Sequence, residues 1–372
     1  MFATARLLFG GFILFSTIVS PSAADTNSQP ATSAGNTTIA PEGFQQPSSL
    51  AALLALETNQ LEKVDLARIN LLCAEGLRGS ESLDIQQCLD TLDAWARYID
   101  RETKRNYHHF VERPKEFNNS LAYYRMGMLG TVLAEDLRIR YNPTLEQQQR
   151  VRPPDSQTVA DWNAFFTDSR DIFLHGLLGG RRSGTCSSMP FLHAAIGRRL
   201  GYPVTIAARK YHLYVRYEEG RGKHLNVEAT ENLGFSTPSD EEYRTGMFAM
   251  TEEEIKGCGW LRPLSNKEIL GICLLNRANC LRSMKQHDAE IKALEQAARY
   301  LPATPLMKRV IRKAQNLARN LQSEDRWDEL WTKVEGLQLP TGGPKFEYFQ
   351  NRKLQVQFFI EMRPTTNEKG SP

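Results

Sequence analysis

The sequence predicts an α+β protein with a helical N-terminal part, a core in which one helix packs on an antiparallel sheet, and helices again at the C-terminal end. Three observations carry that expectation. Apolar residues recur at helical spacing on both sides of the chain's middle. Between them lie three extended runs, Val204 to Ala208, His212 to Tyr217 and His224 to Ala229. The last two flank Glu218 to Lys223, whose two glycines are turn chemistry, so they read as a hairpin.

Taken in order, Arg6 precedes an apolar run from Leu7 to Val19, and Ser22-Ala23-Ala24 places small residues at cleavage-site spacing. Residues 1–24 read as a signal peptide, the alternative being an uncleaved anchor, for which the run is short against a span of ~20 residues. No second run of that kind follows, so no membrane span is expected in the mature chain, and its destination is secreted or periplasmic. Residues 25–48 hold almost no large apolar side chain and read as a disordered linker.

Residues 49–145 read as a helical region. One stripe carries Leu66, Ile69, Leu72 and Cys73 and stops near Gly76 and Gly79. A stronger helix follows, with Asp84 and Gln87 as a capping box and Ile85, Cys88, Leu89, Leu92, Trp95, Ala96 and Ile99 on one face. A third is expected from Leu121 to Tyr141, ended by Asn142-Pro143. His108-His109, between them, read as a solvated pair, since adjacent side chains do not converge on one metal ion without further ligands.

The core, 146–262, holds the candidate chemistry. Gly184-Thr185-Cys186-Ser187-Ser188-Met189-Pro190 runs into an apolar stretch to Leu200 and reads as a turn feeding a helix, with Cys186 in its first turn. Free N–H groups and the positive end of the helix dipole favour a thiolate there, and Pro190 is tolerated so early. If the hairpin turn centres on Gly220, His212 and Glu228 face each other directly, ~4.5–5.5 Å apart at Cβ, so that the carboxylate orients the imidazole. A one-residue slip would put them on opposite faces. His224 competes as base but stands roughly 13 Å along its own strand from Glu228. His193 lies two helical turns from Cys186, too far to serve it, and His175 reads as a packing residue or a cleft wall. Arg181 and Arg182 read as a solvated loop or as contacts to an anionic substrate; without the lysine and a preceding strand their Gly-rich run is no phosphate loop.

Cys186 at a helix start, His212 at a strand start and the run Asn226-Val227-Glu228-Ala229-Thr230 together resemble the transglutaminase-like superfamily, whose papain-like core uses Cys, His and an Asp. The nearer likeness is to the bacterial transglutaminase-core branch that includes SirB-type proteins. Supporting runs are Asp65 to Leu72, Asp168-Ser169-Arg170-Asp171 and Leu174 to Gly180, and the resemblance spans about residues 61–243. It implies a papain/transglutaminase-like core with Cys186, His212 and Glu228 as catalytic residues. Glu stands where the family usually has Asp, and no upstream oxyanion-stabilising side chain is evident.

Residues 263–340 read as helical. Between Asn276 and Pro302 two helices are expected, with Ala278, Leu281, Leu294 and Ala297 where a tetratricopeptide (TPR) repeat wants small and apolar residues, and Glu290 where a small one is usual. A TPR-like unit and a helical pair that merely caps the core are both open; Leu306 to Val334 would supply a partner pair. In the segment 341–372, Leu354, Val356, Phe358 and Ile360 alternate with polar residues as a strand before a polar tail.

Composition bounds the partners. With 46 basic and 43 acidic side chains and a net charge of +3, no nucleic-acid interface is expected. Besides Cys186 there are Cys73, Cys88, Cys258, Cys273 and Cys280, without a zinc spacing. Cys273 and Cys280 are roughly 10.5 Å apart along one helix and cannot bridge each other; Cys73 with Cys88 is open, as are buried free thiols. No cofactor or metal is called for. A Cys-His-acid set supports acyl transfer through a thioester on protein or cell-wall peptide amides. The alternatives are a non-catalytic interaction module, with a protein partner on the C-terminal helices, and a structural envelope protein.

Overall fold

The computed structural model describes residues 44–144, 165–231, 234–246 and 249–336, with side chains through Arg326. The expected signal peptide, most of the linker and the strand at 354–360 lie outside these residues. The chain is mixed helical with a small antiparallel sheet, an α+β architecture.

The helical period that begins at Ser49 is broken into α1 (Leu50–Leu54), α2 (Thr58–Leu61) and α3 (Leu66–Leu72). Polar caps set two of these starts: Ser49 Oγ accepts the Ala52 N–H at 3.2 Å and Asp65 Oδ1 the Arg68 N–H at 3.0 Å. Gly76 and Gly79, at φ +72° and +91°, then reverse the chain in a conformation other residues rarely adopt. In α4 (Ile85–Arg105) Asp84 caps the Gln87 N–H, and Leu89, Leu92, Trp95, Ala96 and Ile99 are buried as one stripe. After α5 (Tyr107–Glu112) comes α6 (Leu121–Thr131), shorter than its sequence period implies. Residues Val132–Asp136 widen into a π turn, where the Leu137 N–H reaches back to the Val132 carbonyl; Arg138 takes φ +57°, and the chain becomes strand β1 (Arg140–Tyr141). A long-range pairing overrides local periodicity here, because β1 lies parallel to β2 (Ser183–Gly184).

Two short helices, α7 (Ser169–Ile172) and α8 (Leu174–Leu178), precede β2, and α9 (Met189–Arg199) follows it. The sheet is β3 (Val204–Arg209), β4 (His212–Gly220) and β5 (Lys223–Val227), antiparallel and in that spatial order. Helix α9 lies so close to it that a Cβ on Gly197 would stand 2.6 Å from Val204 Cγ2. Residues 261–264 extend the outer edge of β3: the Leu261 and Leu264 N–H groups donate to the Ala208 and Ile206 carbonyls.

Helices α10 (Asp240–Thr245) and α11 (Glu252–Cys258) connect to α12 (Asn266–Ser283), α13 (His287–Tyr300) and α14 (Pro305–Gly336). The pair expected over Leu306–Val334 is one helix, since neither Gly nor Pro interrupts that stretch. Ala278, Leu281, Leu294 and Ala297 are buried, and Glu290, the polar residue among them, is wholly buried between Arg282 and His287. Among the described residues no helix is long and apolar enough to cross a membrane.

One cluster of buried side chains runs from Leu53 to Ile311, so the cysteine-bearing helix, the front helices and the C-terminal helices share a hydrophobic core. Helix α3 touches both α9 and α12. Buried Asn266 joins the parts: its amide donates to the Leu61 and Val64 carbonyls at 3.1 and 2.9 Å, and its oxygen accepts from Arg198 at 3.1 Å. Arg198 in turn donates to the Val204 carbonyl and Thr205 Oγ1 at the start of β3. Asn266→Ala strands these buried groups and is expected to cost about 2–4 kcal/mol, read as a lower urea midpoint at unchanged m-value.

Candidate active site

Cys186 sits one turn earlier than its sequence context implies. The helix proper begins at Met189, and Thr185 to Ser188 form a turn fused to it, the Thr185 carbonyl accepting the N–H groups of Ser188 and Met189. The turn is anchored from below. Thr185 and Ser188 hydroxyls both donate to the Asp171 carbonyl, at 2.8 and 2.9 Å, while Ser188 Oγ accepts the Thr185 N–H. The Asp171 carboxylate is itself held by Asn142 (2.7 Å) and Arg181 (3.2 Å). Two residues upstream, the β1–β2 pairing fixes Ser183 and Gly184. The cysteine is thus partly exposed on a loop whose every neighbour is tied down, and among the described residues no acceptor takes its own N–H.

His212 opens β4 and Glu228 follows β5, in a register different from a turn centred on Gly220. Val215 pairs with Val227 and Tyr217 with Leu225, with an irregularity between Glu218 and Gly220. Continued outward, this register sets Thr230, not Glu228, opposite His212. The displacement is two residues, so both side chains still share a face, now as diagonal neighbours. Glutamate's extra methylene suits that longer reach. At Val227 the β4–β5 ladder ends, and Glu228 turns to bridge Ser236 instead. His212 Nε2 meets Glu228 Oε2 at 2.5 Å, and Cys186 lies within hydrogen-bonding reach of the same imidazole. With Nε2 committed to the carboxylate, Nδ1 is the nitrogen left for the sulfur.

Comparison with models of known protein families, with curated proteins and with solved structures finds no match. The site's chemistry therefore has to be read from its own geometry.

Glu228, 6 % exposed, is the best-satisfied group in it. Oε2 accepts from His212 and from Tyr243 Oη (3.1 Å); Oε1 accepts from Thr230 Oγ1 (2.6 Å) and the Thr230 N–H (3.1 Å). Burial pushes its pKa up, but His212 and Thr230 outweigh that and hold it down at about 2. For His212 burial, the largest influence, favours the neutral ring; Glu228 and Cys186 overcome it and raise the pKa to about 9. Burial and Glu228 together push the Tyr243 hydroxyl far up, so it remains a donor.

The remaining candidates go elsewhere. His224 Nε2 pairs with Asp240 at 3.1 Å. His193 is fully buried, its ring nitrogens 3.0 and 2.9 Å from the Met189 and Gly234 carbonyls, and ties α9 to the segment after Glu228. His175 contacts Ser169 Oγ at 3.2 Å and is lowered to about 4 by burial. Arg181 is paired to Asp168 and Asp171, and Arg182 lies over the Trp95 ring at 4.6 Å, so both are engaged within the fold. His108 and His109 stack on each other at the surface, bonded to the Arg105 carbonyl and Arg113. Among the described residues no three His, Cys, Asp or Glu side chains converge as a metal site requires.

Sequence reasoning assigned no role to Asp171 and Thr230, though both stand in runs that carry the resemblance, and it gave Tyr243 no role either. Thr230 carried a local signal, a hydroxyl two residues after an acid. Tyr243 carried none, since only the fold brings α10 beneath the hairpin.

The pKa directions set the pH behaviour. Glu228's contribution to stability is complete above about 4.5 and lost as pH falls through about 2; that of His212 is complete below about 6.5 and lost as pH rises through about 9. Glu228→Gln leaves burial to act on the ring with less opposition, so the His212 midpoint is expected to fall from about 9, measured by NMR titration of the imidazole.

Proposed function

We propose that the protein is an exported cysteine enzyme of transglutaminase-like type, with a papain-like core, that transfers or hydrolyses acyl groups of protein or peptide amides. The observation that carries this reading is His212, bonded through one nitrogen to a buried glutamate while Cys186, on the turn that leads into α9, lies within reach of the ring. A raised imidazole pKa keeps the ring protonated at neutral pH, as a group that must give a proton to a leaving amine requires.

In the reaction so proposed, Cys186 Sγ attacks the amide carbonyl and the C–S bond forms. The Cys186 N–H, for which no acceptor is found among the described residues, would be available to the developing oxyanion. The C–N bond then breaks as His212 gives its proton to the leaving amine or ammonia. His212, now neutral, takes a proton from water or an amine as that group attacks the thioester and frees the sulfur. Glu228 stays anionic throughout and steadies the imidazolium. Helices α12 and α13, a tightly packed pair followed by α14, support the further reading of TPR-like helices that offer a surface to a protein partner.

Alkylation tests the reading. At pH 6.5, iodoacetamide is expected to modify Cys186 at least about tenfold faster in the wild type than in His212→Ala, scored by peptide mass spectrometry. Cys88 serves as internal control, since burial raises its thiol to about 11. Equal rates in the two proteins would favour the non-catalytic interaction module. A fluorescent primary amine offered with a glutamine-rich protein separates the outcomes: covalent labelling marks a transferase, and release of ammonia or a new amino terminus without labelling marks a hydrolase.

A further inference from the structure

We propose that Cys73 and Cys273 are a disulfide-forming pair that staples the front helices to the C-terminal helices. This is independent of the reading given to Cys186. The residues are 200 positions apart in sequence, yet Cys73 caps the end of α3 and α3 packs directly on α12, which carries Cys273.

The contact is specific on both sides. Asn70 and Cys73, one turn apart on α3, meet Cys273 and Arg277, one turn apart on α12. The Asn70 amide faces Cys273 Sγ at 3.9 Å, Arg277 donates to the Cys73 carbonyl at 2.9 Å and to the Glu75 carbonyl at 2.6 Å, and burial together with the neighbouring Cys73 pushes the Cys273 thiol well up. Both cysteines are fully buried. Cysteines on two directly packed helices can join when side-chain rotation brings their sulfurs to the ~2.05 Å of an S–S bond. The pairing of Cys73 with Cys88 that the sequence leaves open thus has a structural rival. All six cysteines are free in this structure.

Forming the bond removes two protons and two electrons. A disulfide oxidant of the glutathione type accepts both: one thiolate attacks it to give a mixed disulfide, the second displaces the small thiol, and two molecules of that thiol leave. Because the mature pair is inaccessible, the exchange takes place during folding, as α3 docks on α12 and before the sulfurs are sealed. An exported chain would meet such conditions as a matter of course. Closing a loop of this length restricts the unfolded chain more than closing a short one.

The test uses the full chain, refolded from denaturant with reduced and oxidised glutathione, then alkylated under denaturing conditions without reductant and digested. The expected product is a Cys73 peptide joined to a Cys273 peptide, two hydrogens lighter than the separate thiols, with Cys88 and Cys186 alkylated. Reductant should lower the melting temperature of this protein by about 5 °C or more and leave that of Cys73→Ser/Cys273→Ser unchanged. Recovery of both cysteines as alkylated thiols, or of either joined to a different cysteine, overturns the proposal, and that readout stands even where the double variant fails to fold.

Discussion

A buried carboxylate with every lone pair engaged is the constraint on which the candidate site depends. Glu228 accepts from an imidazole, a tyrosine hydroxyl, a threonine hydroxyl and a backbone N–H. An anion so enclosed would cost several kcal/mol if its partners were missing, and with them it stays charged well into acid. That fixed charge keeps His212 protonated against the pull of its own burial. Tyr243 is held to the task by packing, its ring against Tyr214 at 4.4 Å and beneath the Arg209 guanidinium at 5.3 Å.

Cys186 depends on a different set of bonds. A cysteine on a surface turn has no reason to hold one orientation, but here two hydroxyls of the turn converge on a single carbonyl, that of Asp171, and a two-residue parallel pairing tethers the strand before it. Asn142, which anchors the Asp171 carboxylate, comes from the end of the front helical region. The positioning of Cys186 is therefore distributed over segments far apart in sequence, all resting on the core shared with α3 and α12. The result is a site assembled from a helix-leading loop and a sheet, each stiffened from its own side.

Departures from the expected structure share one cause. The helix projected to Tyr141 gives way to β1 because residue 140 has a partner at 183. The His212–Glu228 pairing is diagonal because the turn absorbs an irregularity that symmetry about Gly220 does not foresee. Glu290, out of place in a row of small residues, is accommodated because Arg282 and His287 arrive from the neighbouring turn and helix start to satisfy it. In each case a contact between elements or across a turn decides, and hydrophobic periodicity carries no information about it.

The sequence by itself determined the α+β architecture, the apolar faces of the long helices, the three strands, and the residues Cys186, His212 and Glu228 as a set. These follow from periodicity, turn chemistry and residue type, which are local properties. Tertiary structure alone decided that the sulfur precedes its helix, that the glutamate reaches along a diagonal, that Tyr243, Thr230 and Asp171 complete the surroundings, and that Cys73 meets Cys273. Those are contacts between elements, and their distances are set by how whole helices and strands pack, which no short stretch of chain encodes.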